Sequence, residues 1–134
     1  VSGKFTPEQR KIYDTIVGIQ KQLIAAVKPG GTFRKNQELK DKLVAEAGLA
    51  QLTGTYGISH FVGMEIHDVG DYDVPFEPGM CFVIEWRIQT EGFAMRFEDV
   101  ILVTATGQEW LTGHAPITAE EFEKVMAEKG LWES

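Results

Sequence analysis

The sequence predicts an α+β domain, and three observations carry that reading. Two stretches with helical spacing of apolar residues come first, two strand-like runs follow, and a short helical stretch closes the chain. Helices and strands are segregated along the chain, whereas a parallel α/β fold would alternate them. A length of 134 residues suits a single domain with one core, taken as residues 1–134.

The first helix opens at Thr6-Pro7-Glu8-Gln9. Thr6 can cap, Pro7 suits the first helical position, and Gln9 can reach back as in a capping box. Ile12, Ile16, Ile19, Leu23 and Val27 then recur near helical spacing, and Lys28-Pro29-Gly30-Gly31 stops the run. A helix is therefore expected over 7–27. A second is expected over 35–47, with Leu39, Leu43, Val44 and Ala47 on one face and Gly48 just past its end. Residues 49–59 read as a loop whose small side chains let backbone approach backbone or ligand. Phe76-Glu77-Pro78-Gly79 reads as a turn. Residues 81–88 and 93–104 are β-rich, with Gln89-Thr90-Glu91-Gly92 as their hairpin loop. A turn at Thr106-Gly107-Gln108 leads into Glu109-Trp110-Leu111. Thr118-Ala119-Glu120-Glu121 is a second capping box, opening a helix to about Lys129.

Composition narrows the function classes. The net charge is −7, which repels phosphate backbones and argues against nucleic acid as a partner. The acidity serves solubility first. No apolar run approaches the length that spans a bilayer, so a membrane is not expected either. The opening residues lack the apolar stretch of a signal peptide, and the missing Met start suits a trimmed chain. A single cysteine, Cys81, forms no intrachain disulfide and fits a reducing, cytoplasmic setting. It is expected to be a small core residue.

The candidate chemistry lies in the strands and the segment before them. Alternation puts Cys81, Val83, Glu85 and Arg87 on one face of the first strand, and Phe82, Ile84 and Trp86 on the other. In the second strand Ala94, Arg96, Glu98 and Val100 share a face. A carboxylate among large apolar residues is costly unless it is paired or bound to a metal. An ion pair such as Glu85–Arg96, or exposure at a sheet edge, would account for Glu85. The histidines His60, His67 and His114 open a second account. His60, Glu85 and Glu98 would supply one imidazole and two carboxylates, a donor set suited to Mn, Fe, Co or Zn ions. His114 is expected at the surface, and Met64, Met80 and Met95 are expected to pack. Ser59 beside His60 makes no nucleophile–base pair, and no Gly-x-Ser-x-Gly elbow exists.

The run YGISHFVGMEIHDVGDYDVPFEPGMCFVIEW, followed by FAMRFEDVILVTATGQEWLT, resembles the metal-binding half of the aminopeptidase P, prolidase and creatinase superfamily. The matching features are Gly-x-Ser-His-x-x-Gly leading to His-Asp, a Pro-Gly-Met turn before a strand bearing Glu, an Arg-x-Glu-Asp strand, and Thr-x-x-Gly-x-Glu-x-Leu-Thr. The opening VSGKFTPEQRKIYDTIVGIQ resembles the helix start that follows the family's two aspartate ligands. The resemblance covers most of the chain. It implies the C-terminal portion of a pita-bread fold, with helices packed on a mainly antiparallel curved sheet. It implies that His60, Glu85 and Glu98 ligate metal, that Glu98 bridges two ions, that His67 contacts substrate or moves protons, and that Arg96 steadies the carboxylates. The implied cofactor is a pair of divalent metals per complete site, manganese foremost, with Co, Zn or Fe as alternatives. The implied reaction is metal-activated hydrolysis of a peptide bond next to proline.

This chain also departs from that pattern. The two aspartate ligands have no equivalent in it, so only the half-site His60, Glu85, Glu98 is expected. Tyr56 stands where related aminopeptidases have a substrate-side histidine, and Trp86-Arg87 where Pro-Gly is usual. Arg87 could pair with Glu85 and compete with a metal, or a bulge could turn it away. The leading expectation is a metallopeptidase portion that acts on proline-containing peptide substrates once joined to the upstream half of its polypeptide. The alternative is a non-catalytic pita-bread module that binds peptides or proteins, and a third is a small structural protein. Without its upstream half the sheet would have an open edge, so a homodimer is also expected.

Overall fold

The computed structural model describes residues 3–54 and 57–128. Helix α1 spans Pro7–Ala25 and α2 spans Phe33–Glu46. Strands β1 (Cys81–Gln89), β2 (Ala94–Val103) and β3 (Gln108–Trp110) form an antiparallel sheet in the order β1-β2-β3, and α3 (Ala119–Ala127) follows. The α+β class is the one expected. No helix among the described residues is long and apolar enough to cross a membrane.

Local chemistry explains the boundaries. Thr6 Oγ1 accepts from Gln9 N, and Gln9 Oε1 accepts from Thr6 N, so the capping box at α1 is complete. This helix ends two residues before the expected limit. Pro29 restricts Lys28 to extended backbone, and the chain leaves through a tight turn with Val27 N bonded to Ile24 O. Helix α2 starts two residues early because Thr32 caps it, Oγ1 accepting from Lys35 N at 3.2 Å. Gly48, at φ +70°, closes it as expected. The buried stripe of α2 is Phe33, Asn36, Lys40 and Val44, while Ala47 is exposed, so the expected apolar face is rotated and partly polar. Residues 50–52 form a 3-10 turn inside the expected loop. The end expected for α3 at Lys129 and the Tyr56 position lie outside the described residues.

The pairing of β1 and β2 runs residue for residue from Cys81↔Leu102 to Gln89↔Ala94. No bulge interrupts it, so Arg87 stays on the Glu85 face, opposite Arg96. Thr90 closes the hairpin, its N–H donating to Phe93 O and its Oγ1 accepting from Phe93 N. Phe82, Ile84, Trp86 and Ile88 face α1 with Phe97, Ile101 and Val103, and all are buried. At one end the Phe33 ring packs within about 5 Å of the Phe61, Phe76 and Phe82 rings. At the other, Tyr13 donates to Ile117 O at 2.9 Å and stacks with Phe5, Phe97 and Phe122. Burial, with smaller help from Asp14, pushes the Tyr13 phenol up to about 12. Arg10 pairs with Asp14 and Glu120, which ties α1 to α3. Cys81 is half-buried, not a full core residue, and burial pushes its thiol pKa up. Met80 and Met95 pack against the core, whereas Met64 is fully exposed, against expectation. Its loop is held by backbone and carboxylate bonds and carries its apolar side chains outward.

Phe82 is fully buried at the junction of the aromatic cluster and the sheet. Phe82→Ala is expected to cost about 3–5 kcal/mol, read from urea denaturation. The Glu121 carboxylate accepts from Thr118 N, Ile117 N and Thr118 Oγ1. These bonds, the Thr118 backbone bond first, hold its pKa below the usual carboxylate range. A carboxyl depressed on folding stabilises the fold above its unfolded pKa and loses that contribution as pH falls through its folded pKa. Stability is therefore expected to decline as pH drops below about 4.5, and Glu121→Gln is expected to flatten that decline.

Candidate metal centre

The free edge of β1 is not open along its length. Residues 58–62 run beside it, with Glu85 N donating to Ile58 O at 2.7 Å and Val83 N donating to His60 O at 3.0 Å. Ser59 Oγ donates to Val83 O, so the hydroxyl is taken up by the backbone and not by His60. This pairing sets His60 beside Glu85. On the other side of β1, Glu98 is the direct cross-strand partner of Glu85. Three elements distant in sequence thus deliver their side chains to one face.

His60 is 8% exposed, and its Nδ1 lies 3.1 Å from Phe61 O. The tautomer with its proton on Nδ1 donates there and leaves Nε2 facing the carboxylates. Nε2 stands 3.4 Å from Glu85 Oε2 and 3.6 Å from Glu98 Oε1. Glu85 Oε1 takes Arg96 Nε at 3.0 Å. The ion-pair account of Glu85 and the cluster account therefore hold together, each using one oxygen. Two ligands bound about 2.1 Å from a tetrahedral ion stand about 3.4 Å apart. The spacing and the mixed nitrogen–oxygen donor set fit a divalent cation at His60 and Glu85, with Glu98 close to His60 but outside the group whose ligand atoms all lie within 4.8 Å of one another.

His67 joins from the other side. Its ring lies 4.5 Å from that of His60, edge to face. His60, His67 and Glu85 offer ligand atoms within 4.8 Å of one another, so His67 is near enough to serve the same cation. The loop that carries it is clasped by Asp68, whose oxygens accept from Met64 N at 2.8 Å and Val69 N at 2.7 Å. A Cβ on Gly63 would sit 1.5 Å from Asp68 Oδ2, which explains a glycine five residues before the aspartate. His114 is exposed and remote from the cluster's lining.

The cluster opens on a cleft of about 510 Å³ lined by His60, His67, Glu85, Arg96, Glu98 and Lys40, among others. Lys40, buried in the wall and paired with Asp41 at 2.9 Å, was not singled out by the sequence. A second set of residues lies behind the sheet. Gln20 Nε2 donates to Ile84 O at 2.9 Å and to Asp99 Oδ2 at 2.8 Å, and Gln20 Oε1 accepts from Trp86 Nε1 at 2.8 Å. Asp99 Oδ1 accepts from Trp110 Nε1 and Thr112 Oγ1. The available signals were a glutamine on the apolar stripe of α1, four residues after Ile16, and an aspartate on the core side of β2. The same bonds place the Trp86 indole in the core, 6% exposed, while the residue also counts among those lining the cleft.

Comparison with known proteins agrees with this architecture. Residues 1–105 match the metallopeptidase family M24. The chain is 31% identical to Xaa-Pro aminopeptidase 2 of Streptomyces coelicolor, over 95% of this chain and 34% of that protein. It superposes on a candidate aminopeptidase P from Bacillus anthracis with a TM-score of 0.85 at 33% identity, covering 92% of this chain and 33% of that one. It also superposes on zinc-substituted Escherichia coli aminopeptidase P in complex with product, with a TM-score of 0.78 at 29% identity, covering 96% and 37%. The chain thus spans about a third of the length of these relatives. It belongs to metallopeptidase family M24, and its fold is the C-terminal portion of that family's pita-bread domain.

Proposed function

We propose that this chain supplies the His60, Glu85, Glu98 half of a divalent-metal site that hydrolyses peptide bonds next to proline. The observation that carries the reading is the approach of His60 Nε2 to Glu85 Oε2 at 3.4 Å and to Glu98 Oε1 at 3.6 Å. Two metals, manganese foremost, would complete the site together with aspartates from the upstream half of the polypeptide. Such ions supply a Lewis acid and lower the pKa of bound water.

The chain's own residues do the positioning. Phe61 O orients the His60 ring, and Arg96 holds one oxygen of Glu85 so that the other faces the cluster. Glu98, whose side chain is 44% exposed, keeps a face toward solvent from which it would hold a metal. His67 lies at the cleft edge, where an imidazole can take or give a proton at the scissile amide. Homodimer formation and a reducing compartment belong to the same reading. The closeness of His60 to both carboxylates favours a metal role over a binding-only module, while the pairing of Glu85 with Arg96 fits either.

Calorimetry is expected to show Mn²⁺ binding to this chain, and His60→Ala to weaken it more than about 100-fold, since even outer-shell losses cost 10–100-fold. Unchanged binding in that variant would remove the proposed constellation. In the full-length polypeptide, Glu98→Ala is expected to abolish cleavage of an Xaa-Pro peptide. A metal-loaded full-length protein with no hydrolysis of any such peptide would leave the binding module as the better account.

A further inference from the structure

We infer that Gln20 is a positioning residue that holds Glu85 and Glu98 in register beside His60, where a cation would be bound, an inference that rests on the half-site reading above. Gln20 lies on α1, on the opposite side of the sheet from the cluster, and is fully buried. Its amide makes three bonds at 2.8–2.9 Å, using both of its donor hydrogens and its oxygen. Their targets are Ile84 O, Trp86 Nε1 and Asp99 Oδ2. Ile84 and Trp86 bracket Glu85, and Asp99 directly follows Glu98. Side chains alternate along a strand, so each residue held by Gln20 neighbours a carboxylate on the opposite face.

This matters because Glu85 and Glu98 are direct cross-strand partners and repel each other. A cation offsets that repulsion only once it has bound. Before then, one side chain behind the sheet bridges both strands and resists their sliding or splaying. Asp99 is anchored a second time by Trp110 and Thr112, so Gln20 pulls against a fixed point. Without the amide, Trp86 Nε1 and Asp99 Oδ2 are buried without these partners, and the strands relax to satisfy them.

The test uses the full-length polypeptide carrying this chain, with Mn²⁺ as the probe. Calorimetric affinity, the electron paramagnetic resonance spectrum of bound Mn²⁺ and the melting temperature are measured for parent, Gln20→Leu, Trp86→Phe and the double variant. Gln20→Leu is expected to weaken Mn²⁺ binding about tenfold or more and to broaden the spectrum. Trp86→Phe, which removes one bond and keeps the ring, is expected to weaken it less. The double variant is expected to bind no more weakly than Gln20→Leu, because both act through the same amide. Folded variants with affinities within about twofold of the parent, whatever their melting temperatures, would overturn the inference. If Gln20→Leu does not fold, an unchanged affinity in Trp86→Phe overturns it alone. A parent that does not bind Mn²⁺ sinks the half-site reading, and this inference with it, whereas a parent that binds beside unaffected variants sinks only this inference.

Discussion

Backbone pairing on both sides of β1 is the constraint on which the site depends. On one side Glu85 N bonds to Ile58 O, and on the other Glu85 faces Glu98 in register. A slip of one residue on either side would send a ligand candidate to the opposite face, because the side-chain period is two. The core enforces the register. Phe82, Ile84 and Ile88 are fully buried against α1, and a slip would expose them to water. The geometry of the polar face is thus set by apolar burial on the other face.

Elements specified by neighbours in sequence were legible. The capping boxes at Thr6 and Thr118, Gly48 past α2 and the alternation of β1 all stand where local chemistry places them. The start of α2 was missed because Thr32 precedes a Phe-Arg-Lys stretch without the usual acidic first turn. The pairing of residues 58–62 with β1 was missed because Ile58 to Val62 has no clean alternation. Its hydrogen bonds come from a strand more than twenty residues away.

The candidate site was legible in a different way. Spacing alone left Glu85 open between an ion pair and a metal, and the resemblance selected His60 and Glu98 to join it. The structure sets His60 near both Glu85 and Glu98, groups His60 and Glu85 with His67 at metal-ligand distances, and pairs Glu85 with Arg96. The Gln20–Trp86–Asp99 network escaped notice because its members come from three elements. Each looked like a single polar exception in an apolar stripe. A residue-by-residue reading discounts such exceptions, and only their meeting in space gives them meaning.

The Asp68 clasp has a consequence for how the cleft breathes. His60, Glu85 and Glu98 are mounted on the sheet, so displacing them means breaking β1 pairing and opening the core. His67 sits on a loop closed by two carboxylate bonds, with Met64, Ile66 and Val69 exposed around it. With its apolar side chains exposed, that loop is expected to exchange its amides faster than β1, whose pairing is backed by the core. The cleft therefore joins one wall backed by the core to another held by the bonds of Asp68.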